Sequence, residues 1–260
     1  AYADKIAYVQ ARASDNPHLS QSYIDDLNTL PEKLRKAYLD GDWNIFEGQV
    51  FTEFRHDVHV VEPFEIPKTW QRYRSMDWGY TKPYAVYSYA VDYDDVLYIT
   101  GEWYGCKPGL PDTGTQETAR EVALKLKGIK DYHGVADPAI WQKTGHDGPP
   151  IGEIFANEGI YWTPADNARV DGLMQVHQRL KEGKLKIFSS CVHLIRTLPA
   201  LTYDKMKVED VDTKQEDHAY DAVRYMCMAR PIKASKVQQQ FNDGYRYEDE
   251  DTGGVSAWGV

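Results

Sequence analysis

Cysteine is scarce and badly placed for chemistry. Cys106, Cys191 and Cys227 are the only three in 260 residues. Their wide spacing gives no CxxC metal pair and their odd number gives no complete disulfide set, so reduced thiols in a reducing compartment are expected. No run of about 18 apolar residues occurs, which leaves no membrane-spanning helix. Residues 1–10 lack the basic-then-apolar order of a secretory leader, so a soluble, cytoplasmic protein is the expectation. Positive charge is also in deficit: 30 Lys+Arg against 40 Asp+Glu give a net charge of −10. A uniformly basic nucleic-acid coat is therefore excluded, and any polyanion must be met by a local patch or through metal ions. The first residue is Ala and the opening segment begins in mid-pattern, as in a piece of a longer protein. What is present is ordinary globular composition, 42% hydrophobic, enough for one large domain or two small ones.

Residues 15–42 carry the signals of a short helical pair, with Pro17 and Pro31 at first-turn positions and Gly41 at the end. Val50 to Phe54 reads as a strand or extended connector. The closely spaced Pro63 and Pro67 mark a linker, which places a domain boundary near residue 62. Beyond it the pattern turns β-rich. Tyr73 to Trp78, Tyr84 to Val91 and Val96 to Trp103 read as three consecutive antiparallel strands. A helix follows over Thr115 to Lys127, with Thr118 and Glu121 at capping-box spacing and Ala119, Val122, Ala123 and Leu126 on one face. Strands at Tyr132 to Ala136, Ile160 to Thr163 and Leu185 to Phe188 then alternate with helices at Ile151 to Asn157, Val170 to Leu180, Val192 to Leu201 and Glu216 to Arg230. Such alternation signals parallel strands joined by helical crossovers. The expected fold is α/β: a ribonuclease H-like mixed sheet with helices on both faces. It divides the chain into 1–62, a ribonuclease H-like domain over 63–231, and a mobile acidic tail over 232–260.

Three places could carry chemistry. Asp77, in Met76-Asp77-Trp78-Gly79-Tyr80, is an acid embedded in a strand, where burial of its charge needs a partner. Taken alone, it could equally be satisfied by a turn. Asp137 follows the apolar Val135-Ala136 and precedes Pro138, at the carboxyl end of a strand, where ligand sites of open α/β sheets gather. The last helix opens on Glu216-Asp217-His218-Ala219-Tyr220-Asp221. At helical spacing Asp217, His218 and Asp221 share an arc of about 100°, opposite Ala219, Ala222, Val223 and Met226. In such a sheet the three acidic places would converge on one edge. Clustered carboxylates repel unless divalent cations neutralise them, and oxygen donors select Mg²⁺ or Mn²⁺, with the imidazole of His218 favouring the latter. Two such ions suit in-line phosphodiester hydrolysis.

These motifs resemble those of the large terminase subunits of tailed bacteriophages, the DNA-packaging motors. Asp15-Asn16-Pro17, Leu30-Pro31-Glu32, Arg35, Tyr38-Leu39, Gly41-Asp42-Trp43, Phe46-Glu47-Gly48 and Val50-Phe51 are similar to the segment joining ATPase to nuclease in that family. Asp77-Trp78-Gly79, Asp137-Pro138 and Asp217-His218-Ala219-Tyr220-Asp221-Ala222-Val223-Arg224-Tyr225 resemble its three acidic nuclease motifs. By position the resemblance implies that Asp77, Asp137 and Asp221 are catalytic metal-binding acids and His218 an auxiliary ligand or proton-transfer group. Asp217 is a possible further ligand. It also implies two Mg²⁺ or Mn²⁺ ions as cofactors, double-stranded DNA as substrate, the portal protein and small terminase subunit as partners, and the host cytoplasm and procapsid portal as the place of action. No G-x-x-x-x-G-K-[ST] phosphate loop occurs, so residues 1–62 are read as the end of the ATPase domain and no ATP hydrolysis is expected.

A polyphosphate needs a local reversal of charge. Arg169, Arg179, Lys181, Lys184, Lys186 and Arg196, against only Asp171 and Glu182, form the DNA-facing candidate. The segment from Tyr203 to Glu216 could be a hairpin or loop beside the site. Two other functional readings compete. An actin/Hsp70-like ATPase lobe is suggested by Asp77-Trp78-Gly79-Tyr80-Thr81-Lys82, but it needs a second related lobe and the domain is too short for two. A non-catalytic module binding a structural ion would use the same acids. Asp112-Thr113-Gly114 and Asp251-Thr252-Gly253 look like an aspartic-protease pair, but neither is placed on a buried strand.

Overall fold

The computed structural model describes residues 48–143, 148–204, 206, 207 and 209–231, with the isolated positions 19, 20, 27 and 39. The tail over 232–260 and nearly all of the helical pair expected over 15–42 lie outside the described residues.

A seven-stranded mixed sheet organises the molecule. Its strands are β1 (Val60–Val61), β2 (Gln71–Asp77), β3 (Ala85–Val91), β4 (Leu97–Tyr104), β5 (His133–Ala136), β6 (Thr163–Pro164) and β7 (Leu185–Phe188). They lie in the order β1-β7-β4-β3-β2-β5-β6. The three expected strands pair as an antiparallel meander, β2 with β3 and β3 with β4. The later strands are parallel, but on two sides of that meander: β5 joins β2 and carries β6, whereas β7 joins β4 and carries β1. The helices are α1 (His56–His59), α2 (Ala119–Lys125), α3 (Ile151–Asn157), α4 (Arg169–Lys181), α5 (Val192–Thr197) and α6 (His218–Ala229).

Two apolar clusters, one on each face of the sheet, explain why β3 is buried along its whole length. One unites Tyr87, Tyr89, Leu97 and Ile187 with Leu173 and Val176 of α4 and Ala219, Ala222, Val223 and Met226 of α6. The other unites Met76 and Val86 with Ala119, Val122 and Ala123 of α2 and Phe155 of α3. The apolar faces read from the sequence on α2 and α6 are the faces that pack.

Some expectations shift. Val50 and Phe51 are buried in the α4–α6 cluster, Gln49 bridges Thr202, and β1 pairs with β7. Residues 48–61 are thus part of the sheet body, and the boundary expected near 62 does not detach them from it. The strand expected over 160–163 is reduced to two residues, 163 and 164, although Ile160 and Trp162 are buried.

Candidate active site

β2 and β5 run parallel in a register that pairs Met76 with Ala136. Their next residues, Asp77 and Asp137, therefore emerge side by side at the carboxyl ends of adjacent strands. The backbone amide of Asp137 donates to the Met76 carbonyl at 3.1 Å, which fixes that adjacency. Asp137 itself turns back: it caps the 3-10 turn Pro138–Trp141, its Oδ1 accepting from the Ala139 amide at 3.0 Å.

The N-terminus of α6 delivers the third group. Asp217 is its N-cap residue without a side-chain capping bond, and Asp217 and Asp221 are both buried. His218 Nδ1 donates to Asp77 Oδ2 at 3.1 Å. Asp77, Asp137, Asp217, His218 and Asp221 line one open cleft of about 590 Å³, together with Trp78, Lys82, Arg169 and Arg224. All five acidic-motif residues are thus brought together, from strand ends and a helix end far apart in sequence.

Asp112 was not among the expected site residues. Its Oδ1 lies 3.3 Å from His218 Nε2, and its other oxygen pairs with Lys82 Nζ. The loop that brings it there is held close: the Gly114 amide donates to the Thr81 carbonyl at 2.8 Å. A Cβ at Gly114 would stand 2.3 Å from the Tyr80 carbonyl oxygen. Asp112 has φ +57°, a conformation Asp tolerates better than most residues. His218 is consequently flanked by carboxylates on both ring nitrogens.

Charge in the cleft is unbalanced. Burial foremost, opposed by His218 and reinforced by Asp221 and Asp137, pushes the Asp77 carboxyl up to about 6. Burial and then Asp221 push Asp217 up to about 7. Burial alone would lower His218, but Asp77, Asp217 and Asp112 raise it to about 9. Arg169 supplies part of the missing positive charge, lying 3.4 Å from Asp221 and 3.7 Å from Asp217. Arg224 Nε donates to Asp221 Oδ1 at 2.9 Å. Among the described residues no three His, Cys, Asp or Glu side chains stand in the arrangement of a formed metal cage. Arg169 lies near two of the acids and His218 pairs with a third, while Asp137 uses one of its two oxygens to cap a turn. The donor set nevertheless suits a hard cation, being carboxylate oxygens buried and then crowded until two of them resist ionisation.

The basic residues expected to face DNA scatter. Arg169 points into the acidic cleft. Arg179 is fully buried, its Nη1 donating to the Asp95 carbonyl at 3.3 Å and its Nη2 bonded to the Arg230 carbonyl, so it cannot meet a phosphate. Lys186 donates to the Val58 carbonyl at 2.8 Å, and Arg196 is engaged by both oxygens of Glu216. Lys181 and Lys184 reach the surface, but at the far end of α4, about 18 Å of helix away from Arg169. They form no single patch. The Tyr203–Glu216 segment does lie beside the cleft, closed by a bridge between Tyr203 and Val211, and its Asp210 Oδ2 holds Arg169 Nε at 2.7 Å. Lys205 lies outside the described residues.

No protein-family model matches the chain. The terminase large subunit of Escherichia phage T5 is 24% identical over 230 residues, which cover 81% of this chain and 49% of that protein. The chain thus spans about half the length of the curated relative it matches. The P22 large terminase nuclease domain superposes with a TM-score of 0.60 at 20% identity, over 72% of this chain and 94% of that one. The large terminase from a thermophilic bacteriophage, in complex with ADP, gives 0.60 at 23% identity, over 85% of this chain and 55% of that one. The large terminase nuclease from thermophilic phage G20c with bound magnesium gives 0.50 at 14% identity, over 69% and 96%.

Proposed function

We propose that this chain, a homologue of terminase large subunits with the ribonuclease H-like fold of their nuclease domains, is a metal-dependent endonuclease that hydrolyses phosphodiester bonds of concatemeric double-stranded viral DNA at packaging. The observation that carries the reading is the convergence of Asp77, Asp137, Asp217 and Asp221 on one open cleft at the carboxyl ends of β2 and β5. The magnesium-bound G20c nuclease of the same fold supports a divalent cofactor.

On this reading Asp77, Asp137 and Asp221 hold two Mg²⁺ or Mn²⁺ ions, with Asp217 as a further donor. When bound, such ions activate a water and stabilise the leaving oxygen of the phosphodiester. The chain's own groups prepare the place. β2 and β5 fix Asp77 and Asp137 in register, and α6 fixes Asp217 and Asp221 against them. His218 acts as a proton-holding group at Asp77, steered by Asp112, which Lys82 in turn anchors. Asp137 can serve through Oδ2 while Oδ1 keeps its bond from the Ala139 amide, since an ionised carboxylate offers two acceptor oxygens.

The DNA duplex, the portal protein and the small terminase subunit are proposed as partners, with action in the host cytoplasm and transiently at the procapsid portal. Among the described residues no helix is long and apolar enough to cross a membrane. Residues 1–62 are proposed as the end of an ATPase domain with its linker, of which 48–61 pack on the sheet body. Replacing Asp77 by Ala tests the assignment: cleavage of supercoiled plasmid with Mg²⁺ or Mn²⁺ should be abolished while the circular dichroism spectrum is kept. Undiminished nicking by Asp77→Ala would remove Asp77 from the mechanism, and absence of cleavage by the wild-type chain would remove the nuclease reading and leave only a metal-binding role.

A further inference from the structure

Arg169 opens α4 at the rim of the cleft, and its guanidinium faces three carboxylates at once. Nε lies 2.7 Å from Asp210 Oδ2, Nη1 3.4 Å from Asp221 Oδ2, and Nη2 3.7 Å from Asp217 Oδ2. Only the Asp210 bond is short. Nη2 is buried and has no hydrogen-bond partner, so it is held beside Asp217 by charge and not by a well-formed bond. Two of the three acids belong to the proposed cation site. The third, Asp210, comes from the Tyr203–Glu216 segment and is fixed independently, its Oδ1 accepting from the Val211 amide at 2.8 Å.

The cleft's two arginines differ in freedom. Arg224 is 1% exposed, its guanidinium lies over the Tyr225 ring, and its stem packs on Gly172. Arg169, with a side chain 29% exposed, sits in the first turn of its helix and can move. A guanidinium and a divalent cation cannot both occupy the space between Asp217 and Asp221, because like charges in a partly buried site repel strongly.

We propose that Arg169 is a stand-in cation: it competes with a divalent metal ion for Asp217 and Asp221, and Asp210 is the anchor that retains it when the metal takes the other two acids. The inference rests on the metal-dependent reading above and adds to it a residue whose charge sets how readily the site loads. It makes Asp210 favour loading, although Asp210 is no metal ligand, because it gives the displaced guanidinium a partner.

Calorimetric titration of the whole chain with Mn²⁺ alone tests this, with the Mn²⁺-induced shift in melting temperature as a second readout. Arg169→Gln should bind Mn²⁺ about tenfold more tightly, the factor corresponding to ~1.4 kcal/mol of ion pairing removed. Asp210→Asn should bind it more weakly, since Arg169 then has only the two metal acids to rest on. In the double variant the Asp210 effect should vanish. A purely structural role would not give opposite signs at the two positions. Should Arg169→Gln unfold in the absence of metal, Arg169→Lys, whose point charge cannot span three acids, should bind more tightly than wild type in the same assay. Equal or weaker binding by the folded Arg169 variant, or an Asp210 effect that persists without Arg169, overturns the competition alone. Failure of the wild-type chain and every variant to bind Mn²⁺ overturns the metal-dependent reading and this inference with it.

Discussion

At the residue scale, His218 is defined by what stands on either side of it. Asp77 faces Nδ1 at 3.1 Å and Asp112 faces Nε2 at 3.3 Å, and Asp77 foremost, then Asp217 and Asp112, favour the protonated ring. Asp112→Asn should therefore lower the His218 pKa from about 9 by a small step, because Asp77 and Asp217 still raise it, as measured by NMR titration of the ring. Plasmid cleavage should fall by about tenfold, the size usual for groups that orient a ligand or proton carrier. An unchanged titration would show that Asp112 does not steer the ring. The acids of the three motifs were legible because each sits where local rules leave a question: a charge inside a strand, an acid after an apolar run, three polar groups on one helical arc. Asp112 was not. Its role depends on a left-handed backbone turn and on the close approach of Gly114 to residues 80–82, neither of which a one-dimensional pattern records. Arg179 failed in the opposite sense, since its neighbours in sequence are surface lysines while its own side chain turns inward to carbonyl groups.

At the element scale, two helices show how local chemistry and packing share the work. The Thr118 side chain accepts from the Glu121 amide, and Glu121 accepts from the Thr118 amide at 2.8 Å, completing the expected capping box on α2. Thr118→Ala should cost about 1 kcal/mol of stability, read from the midpoint of urea unfolding. α4 and α6 approach through Gly172, where a Cβ would stand 2.5 Å from Cγ of the fully buried Arg224. Gly172→Ala should cost about 1–3 kcal/mol by overpacking, despite the better helix propensity of Ala, and the same unfolding experiment decides it. Strands were legible by composition more than by alternation: β3 is buried on both sides, so a period of two has nothing to report. The short edge strands β1 and β6, two residues each, leave too little pattern to read, and the prolines at 63 and 67 suggested a separation that the pairing of β1 with β7 removes.

At the scale of the whole molecule, the acidic cleft couples stability to pH. Asp77 rises from 3.8 to about 6, Asp217 from 3.8 to about 7 and His218 from 6.5 to about 9. All three bind protons more tightly in the folded state, so each contributes stability below its ordinary pKa and loses it as pH rises through the raised value. In EDTA the melting temperature should fall between pH 4 and 9 on account of these groups, and Asp77→Asn should flatten the part below pH 6. Saturating Mg²⁺ should reduce the slope, since a cation favours the ionised acids. A metal-free melting temperature that climbs from pH 6 to 9 would contradict the charge balance described. The net charge of −10 sharpens the point, because the proposed duplex substrate would meet no general basic surface, only the proposed cation site and its rim.

The parallel register of β2 with β5, and the docking of α6 over both, mean that the proposed cutting centre is assembled from pieces that leave the ribosome at widely separated moments. A nascent polypeptide that has emerged only just past β5 presents Asp77 and Asp137 without the cleft; the proposed centre is complete when α6 seats. The fold thus withholds the proposed chemistry from every unfinished copy of itself.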